Sequence, residues 1–308
     1  MPKTYTIEVP LYSRPVEHLA RINLSDNISL AVFGGVPDSP LNGGRLNFSL
    51  DSLFLWDRMF FSLNQQQLER VTAKFYETVS RINGYGMSFR ITYTNMFVDE
   101  AELTEKNLKP LEWLVESGRK HGVKNGVILN NALLEARLRE EYGDQLIYIS
   151  SCTKYVSPDR ILTPRETMAM YLKDSGKYDY IVVTPQDSRR EQLLREVVRE
   201  NKSRIIVLAN SYCSNDCNSY HHYACMNREN KISLLKLTDW RVFATSIKFM
   251  IPHASKCAAI QHFLYPVNVE KIAAMQLKAG IVNFKLGRGF GVESLEKLEA
   301  LIQCFNPA

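Results

Sequence analysis

Apolar residues along the chain recur in two rhythms. Short β-branched and aromatic runs at 28–33, 87–93, 126–129, 146–149, 178–183, 204–209, 260–264 and 282–286 are apolar with few interruptions. That is the pattern of strands covered on both faces of a parallel sheet. Between them lie stretches with helical spacing. Leu68, Val71, Phe75, Val79 and Ile82 make one stripe, stopped at Gly84, and 102–117 and 132–142 make two more. Thr163-Pro164-Arg165-Glu166 predicts a capping box with proline at the first helical position. Ser188-Arg189-Arg190-Glu191 predicts a second box, ahead of Leu193, Leu194, Val197 and Val198. Asn268 opens a helix carrying Val269, Ile272, Ala273 and Leu277, which ends at Gly280; Leu295, Leu298, Leu301 and Ile302 mark the last. Eight strand–helix units predict a (β/α)8 TIM-like barrel over the single span 1–308. An open doubly wound sheet has the same alternation, and the count of eight favours the barrel. The rhythm breaks once, at 211–259, read as an insertion after the sixth predicted strand.

Composition narrows the class. The chain has 308 residues, 45% hydrophobic and 23% charged, with a formal net charge of +5. Such proportions exclude a disordered chain. The longest apolar runs fall short of the roughly 20 residues of a membrane span, and the N-terminus lacks the apolar core of a secretory signal. A cytoplasmic protein with no membrane partner is expected, its six cysteines being reduced thiols or metal ligands. The small positive balance suits a small anionic substrate. RNA is compatible with it, but no basic run points there.

Chemistry in such barrels gathers where the βα loops meet at the C-terminal strand ends. Those positions here carry amides, hydroxyls, a thiol and cations: Thr94-Asn95, Asn130-Asn131, Ser150-Ser151-Cys152, Thr184-Pro185-Gln186, Asn210 and Lys285. Each Asn or Ser is also a natural helix cap. The insertion holds Cys213, Cys217, Cys225 and Cys257. Four soft thiolates suit zinc or an iron–sulfur cluster. Cys152, just past a strand, is an alternative to Cys225 as ligand, while Cys304 on the last helix is read as a small core residue. His222, between Cys217 and Cys225, is the candidate proton carrier. Two Gly-Arg loops, around Arg45 and at Lys285-Leu286-Gly287-Arg288, place Arg45, Lys285 and Arg288 as holders of an anionic group.

The run from Asn210 through Cys213 and Cys217 to His222 resembles the N-x2-C-x3-C-x4-H stretch of the collagenase-like peptidase family of unassigned mechanism. Lys285-Leu286-Gly287-Arg288 is similar to that family's closing motif, and Gly44-Arg45 and Asn130-Asn131 look like corresponding segments. The resemblance implies a TIM-like barrel with a cysteine cluster at its mouth. It also implies links to hydroxylation of RNA bases and of the ubiquinone ring, and in some members a [4Fe–4S] cluster. By motif, Cys213 and Cys217 carry over as ligands; Cys225 and Cys257 complete the set here. The expected function is therefore a metal- or iron–sulfur-dependent barrel enzyme for redox, hydroxylation-like modification of a small anionic or RNA-borne substrate. Two alternatives stay open. One is a zinc-dependent peptidase or hydrolase, although Asp216 and Glu229 are the nearest acids and no H-E-x-x-H helix is present. The other is a non-catalytic, metal-stapled accessory subunit bound to a protein partner in a modifying complex.

Overall fold

The computed structural model describes residues 5–11, 15–24, 27–43, 64–210, 218–230, 268–287 and 293–305. Eight parallel strands close into one ring: β1 (Tyr5–Pro10), β2 (Ile28–Gly34), β3 (Ser88–Tyr93), β4 (Gly126–Leu129), β5 (Ile147–Ser150), β6 (Tyr180–Val182), β7 (Arg204–Leu208) and β8 (Asn283–Lys285). Each pairs with the next and β8 returns to β1. Helices α1 (Val16–Asn23), α2 (Gln65–Gly84), α3 (Glu105–His121), α4 (Ala132–Tyr142), α5 (Pro164–Lys173), α6 (Glu191–Glu200), α7 (Ser219–Asn230), α8 (Val269–Lys278) and α9 (Glu293–Phe305) connect them. The chain is thus a (β/α)8 barrel. Among the described residues no helix is long and apolar enough to cross a membrane.

The count of eight is met by a different set of strands from the one expected. The first is β1, which the periodicity missed because Thr6 and Glu8 interrupt its apolar residues and Pro10 ends it. The expected strand at 260–264 lies outside the described residues, and β7 pairs directly with β8, so the ring has no place between them for another. The stretch 211–259 therefore follows the seventh strand of the ring rather than the sixth.

The caps show where local signals decide. Thr163 and Glu166 form the expected box, and Asn131 and Asn268 accept the amides of Leu134 and Lys271. Asn64 and Gln67 form a further box at the start of α2. Ser188 does not cap: α6 begins at Glu191, and the buried Ser188 hydroxyl donates to the Thr184 carbonyl (2.9 Å) and accepts the Leu208 amide (3.1 Å). Tertiary bonds to β7 outweigh the local motif there. Val198, placed in the apolar stripe of α6, is 36% exposed, because Leu193, Leu194 and Val197 already fill the face against the barrel.

Strand alternation splits the core. Ile7, Val9, Val32, Phe89 and Val127 belong to the layer between sheet and helices, whereas Phe33, Ile128, Ile149, Tyr180, Val182 and Ile206 form a cluster inside the ring. Followed once around, the strand registers close with a stagger of about eight residues, the shear of this barrel type. With that stagger, Glu8, Arg90, Ile149 and Ile206 share one interior layer. Phe33, Ile128, Val182 and Lys285 share the layer above it, toward the C-terminal mouth. At the opposite end, Asn125 is fully satisfied: it donates to Leu114 O and Asn83 Oδ1 (both 2.9 Å) and accepts from the Phe89 amide (2.7 Å) and Asn83 Nδ2 (2.8 Å). This buried junction ties α2, α3, β3 and β4 together beneath the barrel.

On the outer shell, burial pushes the Lys297 ammonium of α9 down to about 8. Below that pH the residue is protonated in both folded and unfolded chains, and the cost of burying charge is fully present. Between about 8 and the unfolded value of 10.5 the folded lysine has lost its proton while the unfolded one keeps it, so stability rises with pH. Lys297→Met should therefore stabilise the chain by about 1–3 kcal/mol at neutral pH. The advantage should fade toward pH 10.5, as read by urea melts of both proteins across that range; an advantage flat with pH would contradict it.

Candidate functional site

Barrel interiors of this type are normally filled by Val, Ile and Leu. This one carries three charges among its described residues. Glu8, on β1, has no exposed surface; its Oε1 accepts from Arg90 Nη1 on β3, and its Oε2 accepts from Lys285 Nζ on β8 at 2.5 Å. The Arg90 side chain is 3% exposed and that of Lys285 12%. Alternation explains the placement. With Phe89, Ile91 and Tyr93 facing the helices, Arg90 must face inward, and the same rule turns Glu8 and Lys285 into the ring.

Aromatic rings support both cations. Lys285 Nζ lies 3.3 Å from the centroid of the Phe33 ring, and the Arg90 guanidinium 4.8 Å from that of Tyr180, which also carries Arg204 at 4.1 Å. A Cβ at Gly126 would press on Ile147 O at 2.9 Å and on Ile147 Cβ at 3.0 Å, so the glycine permits the close approach of β5. Burial pushes Arg90 down to about 10, with Tyr180 acting against the fall, so the guanidinium stays charged at neutral pH. One carboxylate, Glu8, thus bridges two cations beneath the mouth.

Most of the rim amides predicted as site groups do structural work. Asn131 caps α4, Asn210 exchanges hydrogen bonds with the backbone of Gly287 (2.5 and 3.2 Å), and Ser151 caps the turn Cys152–Tyr155. Asn130 differs: strand alternation turns it inward, and its Nδ2 is buried with no hydrogen-bond partner. Cys152 packs against the interior cluster, partly exposed and without a disulfide. Burial pushes its thiol up, while a hydrogen bond from the side chain of Tyr223 and the nearby Lys285 charge pull the other way.

Tyr223 reaches the mouth because α7 lies across it. At one end, Asn218 Nδ2 donates to Ser157 O, in the loop after β5 (3.1 Å). At the other, Asn227 Nδ2 donates to Gly43 O after β2 (2.6 Å), and its Oδ1 accepts the amide of Met96 after β3 (2.9 Å). Asn95 Nδ2 donates to Asn227 O at 3.1 Å, and Arg228 stacks over Phe97 at 4.8 Å. Twelve helical residues span about 18 Å, enough to bridge from the β5 side of the mouth to the β2–β3 side.

Of the residues predicted from sequence, Lys285 is therefore inside the barrel, bound to Glu8 rather than standing free on the rim. Arg45, Arg288, Cys213, Cys217 and Cys257 lie outside the described residues. His222 and Cys225 fall on α7, whose backbone is described there while those two side chains are not. Among the described residues no group of three His, Cys, Asp or Glu is placed to hold a metal. Sequence reasoning missed Glu8 and Arg90. The available signal was a charged residue at the centre of each strand, on the face opposite its apolar neighbours.

No protein-family model and no curated protein matches the chain. Solved structures similar to it include the U32 peptidase Mk0906, at 12% identity over 94% of both chains with a TM-score of 0.47. A D-tagatose 3-epimerase-like protein matches at 10% identity over 98% of this chain and 88% of its own, with a TM-score of 0.34. Dihydropteroate synthase from Thermus thermophilus matches at 9% identity over 99% and 95%, with a TM-score of 0.28. The barrel assignment stands on the closed ring of strands itself.

Proposed function

We propose that the chain is a barrel enzyme that modifies a small anionic or RNA-borne substrate by redox, hydroxylation-like chemistry at the C-terminal mouth. The observation that carries this reading is Lys285, held at the floor of the mouth by Glu8 and Phe33. A buried, oriented cation of this kind receives a carboxylate or phosphate and fixes its position relative to the rim. The unpartnered Asn130 amide adds a donor for a second acceptor on the same ligand.

The described residues that flank the cysteines support a thiolate site at the mouth. The segment bearing Cys213 and Cys217 runs between Asn210 and Asn218, both bonded to rim backbone, and α7 carries Cys225 two positions after the Tyr223 that meets Cys152. In this proposal Cys213, Cys217, Cys225 and Cys257 hold an iron–sulfur cluster, with Cys152 the alternative to Cys225. Bound there, such a cluster would exchange electrons with the site, while the oxidant and the oxygen atom of a hydroxylation would come from a separate co-substrate. Lys285 orients the substrate, α7 keeps water from it, and His222 carries the proton. The motif resemblance to the collagenase-like peptidase family supports Cys213 and Cys217 in that set; Cys225 and Cys257 complete it here. A zinc hydrolase needs a carboxylate free to activate water, and Glu8, the interior carboxylate among the described residues, is bonded to two cations.

Purification without oxygen, followed by metal analysis and a visible spectrum, tests the proposal. A brown protein containing iron and sulfide in near-equal amounts is the expected result; a colourless protein with stoichiometric zinc overturns the redox reading.

A further inference from the structure

We propose that α7 is a detachable cover over the barrel mouth, latched by Asn95 and Asn227, and that the interior cations become accessible only when this latch opens. This goes beyond the proposed chemistry and needs only the placement of the helix. The helices around the barrel are held by apolar faces; α6 buries Leu193, Leu194 and Val197. Of the described α7 side chains, the buried ones are Ser219, Ala224 and Asn227, and of these only Ala224 is apolar. Among the described residues, Asn218 and Asn227 attach it through polar contacts. Asn227 donates to Gly43 O and accepts from the Met96 amide, and Asn95, with no exposed surface, donates to Asn227 O.

Opening the helix breaks the latch hydrogen bonds, each of which water replaces, so the cover opens at lower free energy than the barrel unfolds. Closure, by contrast, is specific: Asn227 satisfies a donor and an acceptor from two different βα loops, so the helix seats in one register. Beneath it lie Cys152, bonded to Tyr223, and Lys285 at 12% exposure. A substrate that contacts Lys285 must first displace the cover, a gating step of a kind common among enzymes with buried sites.

The experiment reads the cover directly, without substrate. Native full-length protein is treated with iodoacetamide, and the rate at each cysteine is followed by peptide mass spectrometry for wild type, Asn227→Ala and Asn95→Ala, with circular dichroism to verify folding. Cys304, on the outer helix α9, is the internal control. The expected result is at least a roughly tenfold faster reaction at Cys152 in Asn227→Ala, a smaller rise in Asn95→Ala, and an unchanged Cys304 rate. An unchanged Cys152 rate in both folded variants overturns the proposal. So does an equal acceleration of Cys152 and Cys304, which marks general loosening. If Asn227→Ala does not fold, Asn95→Ala decides by the same two criteria. Lys285→Met removes the proposed substrate contact and a charge that favours the Cys152 thiolate, so it should slow the Cys152 reaction rather than speed it, and failure of the chemistry and failure of the latch give different results.

Discussion

Replacing Glu8 by glutamine is expected to destabilise the barrel by about 3–5 kcal/mol. The substitution keeps size and shape but removes the one negative charge between Arg90 and Lys285. Two cations in adjacent buried layers then lose the carboxylate that bridges them, and the cost of holding them out of water is no longer offset. For a chain of this length the loss corresponds to a fall in melting temperature of roughly 5–15 °C, followed by far-UV circular dichroism. The companion variant Glu8→Gln with Lys285→Met removes one of the stranded cations and should recover a large part of the loss. A single variant that melts within about 1 °C of wild type would mean that the interior charges contribute nothing to the fold.

How much of this was legible in the residues depends on which physical effect governs each element. Helix ends were legible where the signal is local: the Thr163 box and the Asn131 and Asn268 caps need nothing beyond four consecutive residues. Ser188 has the same local signal, yet it is recruited by the Leu208 amide on a strand remote in sequence, and no local pattern records that contact. Alternation by eight was legible as rhythm, but β1 was not, because a strand whose centre is Glu8 lacks the continuous apolar run that marks a buried parallel strand. Only the partners Arg90 and Lys285, on two other strands, make a carboxylate tolerable there. Helix α7 was invisible for a related reason: it has no apolar stripe, since it covers a mouth rather than packing on a sheet. Lys285 was legible by its position at a strand end. Its role was not, because the partner that orients it sits 277 residues away in sequence.

Lys285→Met should have the opposite effect on stability from Glu8→Gln while removing function. With Lys285 gone, Glu8 and Arg90 remain as a one-to-one pair, and a methionine stem of similar length packs over Phe33. The expected change in stability lies between zero and a gain of about 1–2 kcal/mol, as when buried ions give way to apolar groups of like volume. Anion binding should fall by roughly a hundredfold, the cost of losing a charge-assisted contact in a site shielded from water. Inorganic phosphate serves as the probe: it should raise the melting temperature of the wild type above that in chloride at equal ionic strength, and leave Lys285→Met unmoved. A residue that the fold is better without, and that an anion cannot bind without, is retained for what it binds. If instead the variant is strongly destabilised, or binds phosphate as the wild type does, Lys285 is part of the barrel's own packing and the anion site lies elsewhere on the rim.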